Sequence, residues 1–138
     1  MAERILIVDD EPDMLELLNM IITEKTPYEV ATTNNPLEAE ELIRKGKFDV
    51  TIVDLKMPGK DGIEVLDAIK KLDEDMPVIM MTAYGTVESA VETMKKGAFD
   101  YITKPFRKEQ ILYTIDRAMK WVALKKENKM LKEKLENR

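Results

Sequence analysis

Aspartates stand where buried-looking apolar runs end, and a carboxylate at the mouth of a strand is well placed for chemistry. Asp54 closes Thr51-Ile52-Val53, ahead of Leu55-Lys56-Met57 and a turn at Pro58-Gly59, while Asp9 and Asp10 close Ile5-Leu6-Ile7-Val8. If the two runs are neighbouring strands, like charges crowd one spot, which is costly unless a cation is held there. Mg²⁺ takes oxygen ligands, usually one or two carboxylates with waters and phosphate oxygens. The acidic pair is therefore expected to hold the metal, with Asp54 as a carboxylate nucleophile that forms an aspartyl-phosphate. Phosphoryl transfer asks mainly for positioning and charge neutralisation. Thr82, ending Val78-Ile79-Met80-Met81, offers a hydroxyl to one phosphoryl oxygen, and Lys104, after Phe99 to Thr103, offers a point charge to another.

Each residue also has a plainer reading. A strand-end Asp such as Asp54 often serves a turn, Asp9-Asp10 could simply cap the following helix, Thr82 could be an ordinary strand terminus, and Lys104 could be solvated. Chance would scatter such residues, whereas these converge on one chemistry at the ends of different strands. Asp49, Asp61 and Asp100 read as caps and turns.

The remaining composition narrows the chemistry. The chain of 138 residues contains no His and no Cys. Imidazole bases, Ser-His-Asp hydrolysis and His-ligated zinc are thereby excluded, and the lack of Cys fits a reducing cytoplasm. A net charge of −5 argues against a general nucleic-acid or membrane-surface binder. No signal peptide is read at the N-terminus, and no apolar run approaches the ~18 residues of a membrane span.

These side chains need a scaffold, and the hydrophobic pattern supplies one. After the first run, Glu11-Pro12 starts a helix with Met14, Leu17, Leu18 and Ile21 on one face. Tyr28 to Thr32 reads as a second strand, and Asn35-Pro36 opens a helix that buries Ala39, Leu42 and Ile43 before Gly46. Asp49 to Asp54 is the third strand, and Asp61-Gly62 leads into a helix burying Val65, Leu66, Ile69 and Leu72. Pro77 to Thr82 is a continuous apolar run, typical of a strand covered on both faces. Thr86 caps a helix whose face is Val87, Ala90, Val91 and Met94. Phe99 to Thr103 is the fifth strand, and a long helix runs from about Arg107 to the C-terminus. Alternating strands and helices predict an α/β, doubly wound parallel sheet with right-handed crossovers. In the flavodoxin-like strand order 2-1-3-4-5, strands one and three lie side by side and ligands gather at the carboxyl ends of the strands.

The motifs Ile5-Leu6-Ile7-Val8-Asp9-Asp10-Glu11-Pro12, Val53 to Gly62 around Asp54, Met81-Thr82-Ala83-Tyr84 and Lys104-Pro105-Phe106 resemble those of bacterial two-component response regulator receiver domains. The resemblance covers about residues 3 to 120 and implies a (βα)5, CheY-like fold. It implies that Asp54 accepts phosphate from the His of a sensor histidine kinase or from a small phosphodonor. It further implies direct Mg²⁺ ligation by Asp10, Asp54 and the Lys56 backbone carbonyl, with Asp9 acting through water. Thr82 and Tyr101 would form the switch, altering the partner preference of the face made by helix four, strand five and helix five. The Lys104-Pro105 bond is cis in this family. Such a domain is a signalling switch, not a turnover enzyme.

The last helix continues past the receiver segment, taken as residues 1–120. Ile111, Ile115, Ala118 and Val122 form a stripe for the sheet. Residues 121–138 then carry Trp121, Leu124, Asn128, Leu131 and Leu135, spaced 3, 4, 3, 4. This is a short heptad seam with Asn at one core position, suited to a parallel coiled-coil homodimer, with Glu127 and Lys132 flanking it. A solvated amphipathic helix is the other reading. The sequence stops inside this helix and reads as a fragment cut in a linker. The long coiled linker most resembles that of sigma-54-dependent transcriptional activators (the NtrC and DctD type), where an AAA+ ATPase output domain follows, although a DNA-binding diguanylate cyclase or other output fits these residues equally. Two competing readings share the fold: a flavodoxin-like cofactor carrier, disfavoured by the acidic turn after strand one, and a dimerisation adaptor with a vestigial acidic site.

Overall fold

The structure, a computed structural model, describes residues 3–46, 48–57, 60–83 and 85–136. The strands of the main sheet are β1 (Arg4–Val8), β2 (Glu29–Thr33), β3 (Val50–Asp54), β4 (Val78–Thr82) and β5 (Asp100–Thr103). Between and after them lie α1 (Pro12–Lys25), α2 (Pro36–Lys45), α3 (Gly62–Leu72), α4 (Val87–Lys95) and α5 (Lys108–Glu136). The five strands run parallel in the order β2-β1-β3-β4-β5, the expected doubly wound arrangement. A two-residue antiparallel ladder joins Lys56–Met57 to Lys60–Asp61 after β3. The expected turn at Pro58-Gly59, Tyr84 of the third motif and the final Arg138 lie outside the described residues. No described helix is long and apolar enough to cross a membrane.

Successive residues of a strand point to opposite faces, so each strand feeds two cores. Leu6, Val8, Val53, Val78 and Met80 pack with Ala39 and Ile43 of α2 and Val65, Leu66 and Ile69 of α3. Ile5, Ile7, Val50, Ile52, Ile79, Met81 and Ile102 pack with Leu18 and Ile22 of α1 and Ile111, Ile115 and Ala118 of α5. Caps follow the chemistry expected of them. Asn35 accepts from the Leu37 N–H at 2.9 Å, Asp61 from the Ile63 N–H at 3.0 Å, and Thr86 from the Ser89 N–H at 3.0 Å.

The largest departure from the sequence reading is α4. Its expected core stripe turns outward: Val87 is 81% exposed, Val91 48% and Met94 45%, while Thr93 is the residue it buries. Helical periodicity fixes which residues share a face but not which way that face rolls. Here Ser89 and Thr93 lie toward the body and the aliphatic side faces solvent. On α1, Ile22 is fully buried whereas Leu17 is exposed, so that face is rotated from the one expected. Leu72 at the end of α3 is exposed as well.

Candidate functional site

The parallel order places the carboxyl ends of β1, β3, β4 and β5 along one edge of the sheet. Val8 pairs with Val53 in register, so the next residue of each strand, Asp9 and Asp54, emerges side by side where the strand order reverses. Asp9 is fully buried and Asp54 nearly so. Gly62 permits the close fit behind them, since a Cβ there would stand 2.6 Å from the Asp54 carbonyl oxygen and 2.5 Å from Leu55 Cα. The first turn of α3 is thus seated directly against the backbone that carries Asp54.

Lys104 reaches back from the end of β5 to this pair. Its ammonium lies 3.1 Å from Asp9 Oδ2 and 3.5 Å from Asp54 Oδ2, with only a tenth of its side chain exposed. Burial pulls the Lys104 pKa down, but the charges of Asp9, then Asp54, outweigh it, and the net result lies above the ordinary lysine value. Lys104 is therefore held as a cation. Asp9 also accepts from the Glu11 N–H at 2.9 Å through Oδ1, so one of its oxygens is engaged at the start of α1 and the other by Lys104.

Asp9, Asp10, Glu11 and Asp54 each offer an oxygen, and these oxygens all lie within 4.8 Å of one another. An all-oxygen, mostly carboxylate donor set of this kind fits a hard divalent cation such as Mg²⁺. Glu11 was not anticipated as part of the cluster. It reads from sequence as a helix start, and its position one residue after the acidic pair was the signal available. Lys56 lies in the short ladder opposite Asp61, just beyond Asp54. Thr82 is fully buried at the end of β4, and its carbonyl accepts the Lys104 N–H at 2.7 Å, tying the ends of β4 and β5 together.

Tyr101 is half-buried on β5 and stands apart from the acidic cluster, with its hydroxyl 2.9 Å from Ser89 Oγ on α4. Ser89 went unread in the sequence because its role depends on a contact between two elements. Of the aspartates read as caps and turns, Asp61 is a cap, whereas Asp49 and Asp100 tie distant parts of the chain together. Asp49 accepts from the Arg4 N–H at 2.8 Å, and Asp100 pairs with Arg117 at 3.0 Å. The Lys104-Pro105 peptide is cis, as the resemblance implied.

The seam residues divide. Trp121 is half-buried with its ring edge-on to Phe99, centroids 6.3 Å apart, and belongs to the body. Leu124, Asn128, Leu131 and Leu135 are exposed along the free part of α5.

Comparison with known proteins agrees with this geometry. The model of the response regulator receiver domain family matches residues 5–116. The transcriptional regulatory protein ZraR of Klebsiella oxytoca is 39% identical over 115 residues, which are 83% of this chain and 26% of that protein. Sporulation initiation phosphotransferase F of Bacillus subtilis (strain 168) is 38% identical over 125 residues, 91% of this chain and 98% of that protein. The chain thus spans about a quarter of the first relative (26%) and nearly the whole (98%) of the second. Among solved structures, the beryllofluoride-activated NtrC4 receiver domain dimer superposes with a TM-score of 0.82 at 38% identity, covering 86% of this chain and 98% of that one. With the motifs, the strand order and the family match in agreement, this chain belongs to the response regulator receiver domains.

Proposed function

We propose that this domain is a phosphorylation switch in which Asp54 accepts a phosphoryl group from the phosphohistidine of a sensor histidine kinase or from a small acyl phosphate. The observation that carries the reading is the buried Asp54 carboxylate, 3.5 Å from the Lys104 ammonium at the sheet edge where other carboxylate oxygens gather. A carboxylate oxygen of Asp54 attacks phosphorus as the bond to the donor's nitrogen or oxygen breaks. The imidazole nitrogen of a phosphohistidine takes up a proton as it leaves, whereas the carboxylate of an acyl phosphate leaves as the anion. Lys104 neutralises charge on the transferred group, and the Thr82 hydroxyl donates to one of its oxygens. Asp10, Asp54 and the Lys56 carbonyl would hold Mg²⁺ directly, with Asp9 acting through water. The ion, when bound, supplies charge neutralisation for the phosphoryl oxygens.

The new charge then biases a two-state element made of Thr82, Tyr101 and the α4–β5–α5 face. The outward stripe of Val87, Val91 and Met94 gives that face an apolar surface to offer a partner. The exposed seam from Leu124 to Leu135 suits a second copy of the chain. By likeness to regulators several times its length, the domain controls a downstream output in the cytoplasm, of the sigma-54-dependent AAA+ kind. The test is labelling by acetyl phosphate in the presence of Mg²⁺. Asp54→Asn abolishes it and Asp49→Asn leaves it intact. Equal labelling of wild type and Asp54→Asn would remove the switch and favour an adaptor with an inert acidic site.

A further inference from the structure

We propose that Ser89 is a latch on Tyr101, so that turning of the phenol and reseating of the first turn of α4 are one event. The inference rests on Tyr101 moving in the function proposed above.

Ser89 does two jobs with one oxygen. As the third residue of α4 it completes a capping box with Thr86. Its hydroxyl lies 3.1 Å from the Thr86 N–H nitrogen and 3.1 Å from the Thr86 carbonyl oxygen, and its own N–H donates to Thr86 Oγ1 at 3.0 Å. A serine hydroxyl has one proton and two lone pairs. The proton goes to the Thr86 carbonyl and one lone pair takes the Thr86 N–H. In that arrangement the remaining lone pair accepts from the Tyr101 hydroxyl at 2.9 Å, and with the Ser89 proton turned to Tyr101 the phenol oxygen accepts instead. The phenol is thereby held toward the N-terminus of α4.

Gly85 completes the berth. A Cβ at this position would stand 3.2 Å from Tyr101 Oη and 2.5 Å from Thr103 Cγ2. Bare backbone lets Gly85 lie close against the Thr103 and Tyr101 side chains of β5. The cap and the phenol share the Ser89 hydroxyl, so a displacement of either is felt by the other. Coupling of this kind is reciprocal. Whatever frees Tyr101 loosens the α4 cap, and whatever re-seats α4 frees Tyr101. The outward stripe of Val87, Val91 and Met94 rides on the same helix, so the latch links the phenol to the apolar surface offered to partners.

The experiment uses the 138-residue chain carrying 3-fluorotyrosine, with the Tyr101 ¹⁹F resonance identified by its loss in Tyr101→Phe. In the unphosphorylated chain, Ser89→Ala shifts the Tyr101 populations away from the hydrogen-bonded position by about fivefold, the worth of one net hydrogen bond. Ser89→Thr, which keeps a hydroxyl, restores them. A merely structural cap would lose the same stability with or without the phenol. The latch requires Ser89→Ala to lower the urea midpoint less in a Tyr101→Phe background than in wild type. An unmoved Tyr101 resonance in Ser89→Ala, or equal losses in the two backgrounds, overturns the proposal. Should Ser89→Ala not fold, Tyr101→Phe alone decides. The latch predicts faster hydrogen exchange at the Thr86 and Ser89 amides, and unchanged exchange refutes it. None of these readouts requires Asp54 to be phosphorylated, so failure of labelling and failure of the latch are separable.

Discussion

Lys104 and Asp9 form an ion pair of 3.1 Å in which the carboxylate is wholly buried and the ammonium nearly so. Lys104 is the cation set against a group of clustered carboxylates, and it holds together the ends of β1 and β5. Removing one partner of a buried pair leaves the other charge uncompensated. Lys104→Met is therefore expected to cost about 3 kcal/mol in EDTA, with part regained in millimolar Mg²⁺, as measured by urea unfolding. Because the folded pKa of Lys104 is raised, its contribution is complete below the ordinary lysine value of 10.5 and is lost as pH rises through the higher folded value. The gap between wild type and Lys104→Met should be flat from neutral to mildly alkaline pH and close only in strong alkali.

The carboxylates of Asp9, Asp10, Glu11 and Asp54 crowd one spot, and among the described residues Lys104 pairs with two of them, Asp9 and Asp54. Removing the Asp54 charge relieves its repulsion by the other three. Asp54→Asn should raise the melting temperature in EDTA by about 3–4 °C, the shift that ~1 kcal/mol produces in a domain of this size. Mg²⁺ should stabilise the wild type in proportion to its occupancy and the variant markedly less. Calorimetry with and without the ion provides the check, and an unchanged Mg²⁺ increment in Asp54→Asn would contradict Asp54 as a ligand.

Thr51 sits in the middle of β3, and among the described residues its buried hydroxyl has no hydrogen-bond partner. An unmade hydrogen bond in the core costs about 1–3 kcal/mol. Thr51→Val keeps the shape and removes the polar atom, so it should stabilise by about 1 kcal/mol. Thr51→Ser should destabilise, since it keeps the hydroxyl and opens a methyl-sized void. Urea titrations with matching slopes would read both.

Beyond residue 120 the two halves of the seam should respond differently. Trp121→Ala removes a half-buried ring from Phe99 and should cost about 2 kcal/mol, below the range for fully buried aromatics, without altering association. Leu124→Glu/Leu131→Glu alters exposed positions, so it should leave stability within ~0.5 kcal/mol and abolish any dimer held by α5. Sedimentation of the pair decides the matter. A double variant that still dimerises shows that the seam does not join the subunits.

The acidic edge was legible because it depends on features local to the chain. Apolar runs marked the strands to within a residue, Asp9, Asp54, Thr82 and Lys104 stood at or just past their ends, and parallel pairing sends such ends to one edge. Glu11 was less legible because joining the cluster depends on how α1 leaves the sheet, which no spacing records.

Sequence by itself determined the residue types at the rim and the alternation of strands and helices, while the resemblance of its motifs implied the sheet order and with it the neighbourhood of Asp9 with Asp54. Tertiary structure decided the roll of α4, which turned Val87, Val91 and Met94 outward, the capture of Trp121 by Phe99, and the meeting of Ser89 with Tyr101. The reason is physical. Periodicity assigns residues to a face, whereas the direction in which that face turns is settled by contacts between elements distant in the chain.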